Sequence, residues 1–153
     1  MTPLVINYKE YTITTDKTLM KPQDIHKWLS EESYWAAGIP FETFKTSFEH
    51  SFCIGTLYND QQIGFARLVT DYAVFGYLAD VYVEETHRGK GLSKKMIEII
   101  MNLDWVKGLR GIKLGTRDAH GLYEQFGFTV CTHPERIMEV NRPDIYKNKN
   151  QAT

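Results

Sequence analysis

Cysteine is scarce in this chain of 153 residues: only Cys53 and Cys131 occur, too few and too far apart for a disulfide framework or a thiolate metal site. Both fall in stretches that read as strands, so reduced core thiols and no metal are expected. No apolar run approaches membrane-spanning length, and the start, MTPLVINYKEY, lacks a cationic segment followed by an apolar one. The expectation is a cytoplasmic protein without membrane contact. Neither charge sign dominates, with 18 Lys and Arg against 19 Asp and Glu, which excludes a field able to hold a nucleic-acid backbone as the main partner. No repeat and no low-complexity linker interrupts the chain. One domain over residues 1–146 is expected, followed by a polar tail over 147–153.

What the chain does contain is a strand, a basic glycine loop and a helix start in immediate succession, VYVEETHRGKGLS, from Val81 to Ser93. Glycines allow backbone N–H groups to crowd around an anion, and the helix that follows adds unpaired N–H groups and the positive end of its dipole. A phosphorylated cofactor is therefore expected at this loop. The spacing fits neither a Walker loop nor a dinucleotide loop, because Gly89 and Gly91 are the only glycines present, with Arg88 ahead of them. It resembles Arg-x-x-Gly-x-Gly/Ala, the acyl-CoA pyrophosphate loop of the GNAT superfamily of N-acetyltransferases, through Arg88, Gly91 and Ser93. Ser93 departs from the usual Gly or Ala. A glycine turn opening an ordinary surface helix would look much the same, so a second signature has to decide.

That signature lies downstream in LGTRDAHGLYEQFGF, Leu114 to Phe128. Thr116, Ala119, Tyr123, Gly127 and Phe128 stand where the superfamily pattern places a polar residue, Ala, Tyr, Gly and Phe. The two signatures follow in the superfamily's order.

Periodicity supplies the frame. Tyr11 to Thr15 alternates as a strand. Pro22 opens a helix with Ile25, Trp28 and Leu29 on one face, and Phe41, Phe44 and Phe48 mark a second helix. Ser51 to Tyr58 and Gln62 to Thr70 read as an antiparallel hairpin, with Phe75 to Val83 as the central strand. Leu92, Met96, Ile99, Ile100 and Leu103 stripe the helix after the glycine loop. Gly111 to Gly115 is the next strand. A short helix then carries Ala119, Leu122, Tyr123 and Phe126, and Gly127 to Cys131 and Arg136 to Val140 are expected to finish the sheet. The order is similar to the GNAT fold: an α/β (α+β) arrangement of about four helices around a mixed, mostly antiparallel sheet splayed between two parallel strands.

The resemblance implies acetyl-CoA as cosubstrate, its pantetheine arm bonded by main-chain groups of Val81, Tyr82 and Val83. It implies pyrophosphate contacts from Arg88, Gly89, Lys90, Gly91, Leu92 and Ser93, with Thr116, Ala119 and Tyr123 completing the cofactor side. Tyr123 matches the tyrosine near the CoA sulfur, and a backbone N–H of Val81 or Tyr82 is the implied oxyanion donor. Two candidates stand for the base. Asp80, costly to bury ionised, either faces the acceptor amine or bonds its neighbours, Arg117 among them; His120 has a pKa suited to neutral pH. Asp118 is expected as a helix N-cap. The acceptor pocket is implied in the connection Ser33 to Pro40, with Tyr34 and Trp35 as its wall and Asp80 and Arg117 within reach. The implied reaction is acetyl transfer to the primary amine of a small molecule by direct attack in a ternary complex. A protein or peptide N-acetyltransferase and a non-catalytic acyl-CoA-binding module are the alternatives, and a homodimer is compatible with the resemblance.

Overall fold

The computed structural model describes residues 1–147. Its centre is a six-stranded sheet in the order β1-β2-β3-β4-β5-β6. β1 (Val5–Tyr8) and β2 (Tyr11–Thr14) form a hairpin closed by Lys9 in the left-handed region. β3 (Phe52–Tyr58) and β4 (Gln61–Thr70) form a second, whose turn puts Asn59 and Asp60 at φ 48° and 63°, the backbone that matches strand twist. β5 (Phe75–Val83) comes after a turn in which the Asp71 carboxylate accepts from the N–H groups of Ala73, Val74 and Phe75, bonds that lower its pKa. β1 lies outside the expected strands: an edge strand of alternating exposed and half-buried residues carries little apolar signal.

α1 (Pro22–Glu32) starts at Pro22, whose missing N–H is harmless in a first turn, and buries Ile25, Trp28 and Leu29. α2 (Phe41–Glu49) buries Phe44 and Phe48. Both helices cover one face of the sheet, where these side chains meet Phe65 and Tyr82. α3 (Leu92–Met101) covers the other face, with Met96, Ile97 and Ile100 against Tyr11, Ile13, Ile54 and Leu68. α4 (Asp104–Lys107) leads into β6 (Gly111–Lys113), and α5 (His120–Glu124) comes next. No helix among the described residues is long and apolar enough to cross a membrane.

Two departures from regular pairing open and line a cleft in the sheet. β5 and β6, parallel, are paired only from Phe75/Gly111 to Tyr77/Lys113, so the sheet opens beyond Tyr77 as the splayed fold requires. Between β4 and β5 the register slips, with Phe65 opposite Tyr82 but Arg67 opposite Ala79. Asp80 and Val81 therefore face the single residue Ala66, a bulge in which Asp80 adopts φ 56°.

The end of the chain differs from the expectation. Gly127 to Cys131 and Arg136 to Val140 join no sheet; the segment runs through a 3-10 turn at Pro134–Arg136 and is exposed. The β pattern is present, but among the described residues no strand lies alongside it. Cys131 is accordingly exposed rather than a core thiol, whereas Cys53 is buried. Residues 148–153 of the expected tail lie outside the described residues.

Candidate active site

The opening between β5 and β6 forms a cleft of about 470 Å³ whose walls include Leu78, Asp80, Val81, Thr116, Ala119 and Tyr123, with Tyr34 and Trp35 across its mouth. Sheet geometry decides which main-chain groups face it. The Glu84 N–H bonds Ile63 C=O at 2.8 Å, and antiparallel pairing alternates from there. Tyr82 thus turns its main chain to β4 and Val83 turns its own to the opening, while Val81, in the bulge, lines the cleft. Val83 C=O takes a bond from Arg88 Nε at 2.9 Å. Tyr82, expected among the cofactor contacts, does not line the cleft: its ring stacks on Trp28 at 4.0 Å and 4° within the α1/α2 cluster. Of the two residues expected as oxyanion donors, Val81 is the one that lines the cleft.

Asp80 is the most constrained acid in the cleft. Its Oδ2 accepts from Arg67 Nε at 2.6 Å and its Oδ1 from Trp35 Nε1 at 2.8 Å, with Asp80 and Arg67 side chains 8% and 17% exposed. Arg67 also donates to Ser51 Oγ at 3.1 Å. Of the two readings of Asp80, bonding to neighbours is the one the geometry displays, but the partner is Arg67 and not Arg117. Arg67 carries no signal in the sequence; a basic residue in a strand gains meaning only when the bulge sets it opposite Ala79. Aspartate suits position 80 because it tolerates the left-handed region better than most residues.

The acceptor connection is held in place from within. Ser33 Oγ donates to Leu29 C=O and accepts from Ala36 N–H, and His26 Nε2 lies 2.7 Å from Ile39 C=O. Tyr34 and Trp35 pack edge to face at 5.0 Å. Arg117 stacks on Tyr34, its guanidinium carbon 3.8 Å from the ring centre, so the expected acceptor residues Tyr34, Trp35, Asp80 and Arg117 form one rim.

Opposite them, burial with the Tyr34 and Asp118 charges behind it pushes the Tyr123 phenol up to about 12, so it keeps its proton at neutral pH. Thr116 Oγ1 accepts from Ala119 N–H at 3.0 Å and so organises the entry to α5. The cap expected of Asp118 is not made: Ala119 occupies the N-cap position, and Asp118 is exposed on the cleft rim. His120 is exposed at the start of α5 and is not among the residues that line the cleft.

The glycine loop fits a pyrophosphate. Gly89 and Gly91 sit at φ 80° and 77°, conformations that other residues resist, and a Cβ on Gly91 would meet Tyr8 Oη at 3.4 Å. Among the described residues no side chain caps α3, and its first internal bond is Lys95 N–H to Gly91 C=O at 2.9 Å. The amides of Leu92, Ser93 and Lys94 therefore lack intrahelical acceptors and suit an anion. Arg88 bonds Val83 through Nε, and Lys90 pairs with Glu10 at 3.3 Å. The loop and the opened β5 edge have the chemistry to suit the two ends of an acyl-CoA.

Comparison with known proteins agrees with this arrangement. The model of the acetyltransferase (GNAT) family matches residues 22–128. A Gibberella zeae protein named as an acetyltransferase is 30% identical over 135 residues, covering 74% of this chain and 76% of that one. The streptothricin acetyltransferase of Escherichia coli is 31% identical over 86 residues, 54% of this chain and 49% of its own. In the solved structure of a GNAT-family protein from Xanthomonas campestris pv. campestris, 38% identical, 99% of that chain superposes on 92% of this one with a TM-score of 0.87. The chain belongs to the GNAT family of acetyltransferases.

Proposed function

We propose that the protein transfers the acetyl group of acetyl-CoA to the primary amine of a small molecule, by direct attack within a ternary complex. The observation that carries this reading is the single cleft in which the opened β5 edge, the Tyr123 phenol and the Asp80–Trp35 rim converge. Bound acetyl-CoA supplies the thioester carbon and a thiolate leaving group. Val81, which lines the cleft, offers its N–H where negative charge develops on the acyl oxygen. Tyr123 holds a proton at Oη at neutral pH and serves as donor on the leaving side. Asp80, both oxygens already accepting, orients and attracts the incoming ammonium, whose proton leaves to water through the open mouth.

The surroundings favour a cationic acceptor. Trp28, 5.9 Å from Trp35, separates the cleft from a second one lined by Asp24, Glu31, Glu32, Glu84 and Glu85, with Lys27 the cation among its lining residues. Burial, together with Glu32 and Asp24, raises the Glu84 pKa, as expected where carboxylates crowd without full neutralisation. Such a field draws amines toward the site. The similarity to a streptothricin acetyltransferase is consistent with a small amine acceptor. Tyr123 and Asp80, both present in the cleft, argue against a module that only binds acyl-CoA.

The test is a screen of amines, amino acids, polyamines, aminoglycosides and peptides with acetyl-CoA, following free thiol. Small amines active and peptides silent is the expected outcome; turnover confined to peptides would overturn the acceptor assignment. Gly91→Glu should abolish acetyl-CoA binding in calorimetry, whereas Gly91→Ala, with comparable backbone strain and no charge, retains part of it. Tyr123→Phe should lower kcat by about tenfold or more with acetyl-CoA affinity nearly unchanged. An equal kcat would reduce Tyr123 to packing.

A further inference from the structure

The glycine loop has little within it to hold its shape. Among the described residues, the N–H groups of Gly89, Lys90 and Gly91 donate to no backbone acceptor, which suits an anion but leaves a turn with two glycines free to sample other conformations. What reaches the loop comes from the start of the chain, ahead of the family match, which begins at residue 22. β1 and β2 are joined by Lys9 and Glu10 alone, with Tyr8 opposite Tyr11, and residues directly opposite in a hairpin present their side chains to one face. Here it is the face covered by α3, the helix that the loop opens. Lys9 Nζ donates to Lys90 C=O at 2.9 Å, and Glu10 pairs with Lys90 Nζ at 3.3 Å. The hydroxyl of Tyr11, a residue only 2% exposed, lies 2.8 Å from His87 Nδ1. Tyr8 stands behind Gly91, with its ring centre 5.4 Å from Lys95 Nζ.

We infer that the β1–β2 turn positions the glycine loop: Tyr8, Lys9, Glu10 and Tyr11 hold it from behind, by a carbonyl, a side chain and the histidine ahead of it, and leave its N–H groups to the diphosphate of CoA. The inference rests on the acyl-CoA reading of the loop. Its direction comes from the peptide plane. Lys90 C=O and Gly91 N–H belong to one trans peptide and point opposite ways, so the bond that ties the carbonyl to Lys9 aims the Gly91 N–H away from the hairpin. Tyr11 fixes the entrance in the same manner, because His87 immediately precedes Arg88, whose Nε is already spent on Val83 C=O. These are positioning residues that need not touch the cofactor. A loop fixed before the cofactor arrives loses less freedom on binding, so their contribution falls on affinity rather than on the chemical step.

Calorimetry with CoA and amide hydrogen exchange of the ligand-free protein test this on the full chain, apart from any acetyl transfer. Lys9→Met removes the tether to Lys90 C=O. Tyr11→Phe removes only a hydroxyl and keeps both the net charge and the core ring. Each should raise the CoA dissociation constant by about threefold to tenfold, and should speed exchange over residues 85–91 while β5 and the body of α3 keep their parental rates. Lys9→Arg, which retains a charged donor, should stay within about twofold of the parent. A CoA constant unchanged in both Lys9→Met and Tyr11→Phe would overturn the inference. Weaker binding without faster exchange of the loop would overturn it too, since loss of a distant charge alone has that signature. A parent protein that binds no CoA would overturn the acyl-CoA reading of the loop itself, and the role of the hairpin with it.

Discussion

Asp80 joins an unusual backbone conformation to a mostly buried charge, and replacing it separates the two. Alanine removes the carboxylate and strands Arg67, whose side chain is 17% exposed. Arg67 keeps Ser51 and some solvent, so the loss belongs at the low end for a broken buried pair, about 3 kcal/mol. Alanine must also hold φ 56°, which adds about 1 kcal/mol. Glycine loses the same carboxylate but has no Cβ to strain, so it should be more stable than alanine by about 0.5–1 kcal/mol, the reverse of their order in a regular strand. Asparagine keeps an acceptor for Trp35 and tolerates the left-handed region, for a loss of about 1–2 kcal/mol. The expected order is Asp, Asn, Gly, Ala. Urea unfolding measures it through the midpoints at constant m; in thermal scans, about 4 kcal/mol for alanine corresponds to roughly 8–16 °C. Alanine as stable as glycine would refute the left-handed bulge in solution. Alanine within about 0.5 kcal/mol of the parent would refute the buried pair.

Cys131 is exposed and Cys53 buried, so an aromatic disulfide reagent near pH 8 should titrate one thiol in the native protein and the second only after unfolding; two rapid thiols would contradict the buried Cys53. Burial raises Cys53 from 9.0 to about 12 and Tyr123 from 10.0 to about 12. Raised native values mean that the native state holds these protons more tightly, so their stabilisation is intact below about pH 9 and is lost as pH climbs toward 12; urea midpoints that stay level over that interval would exclude it. The Tyr82 hydroxyl is buried with no hydrogen-bond partner among the described residues while its ring stacks on Trp28, so Tyr82→Phe should leave stability unchanged or raise it by up to about 1 kcal/mol. A loss above about 1 kcal/mol would reveal a bond to that hydroxyl, since the substitution removes nothing else.

The central part of the fold is readable from the chain because there local signal and tertiary role coincide. Phe75–Val83 is a strand as its composition indicates, although it lies next to the β6 edge and not, as expected, at the centre of the sheet; Pro22 marks a helix start where the helix begins; Gly89 and Gly91 are needed for the φ they adopt. The cleft wall is only partly readable. Tyr34, Trp35, Asp80, Val81, Thr116, Arg117, Ala119 and Tyr123 do line one cavity, but Arg67, which fixes Asp80, reaches it through a register slip that no spacing announces. Tyr82 escapes sequence reasoning for a related cause. Adjacent strand residues look equivalent in sequence, and only the pairing of Glu84 with Ile63 tells which of them spends its amide on β4.

The arm after Phe128 is a different kind of failure. Val130, Ile137, Met138 and Val140 satisfy the composition of a strand, but composition states only that a segment can pair, not that its partner lies in the same chain. A lone strand gains neither ladder bonds nor a covered face, so the segment is irregular, with a 3-10 turn at Pro134–Arg136, and exposed.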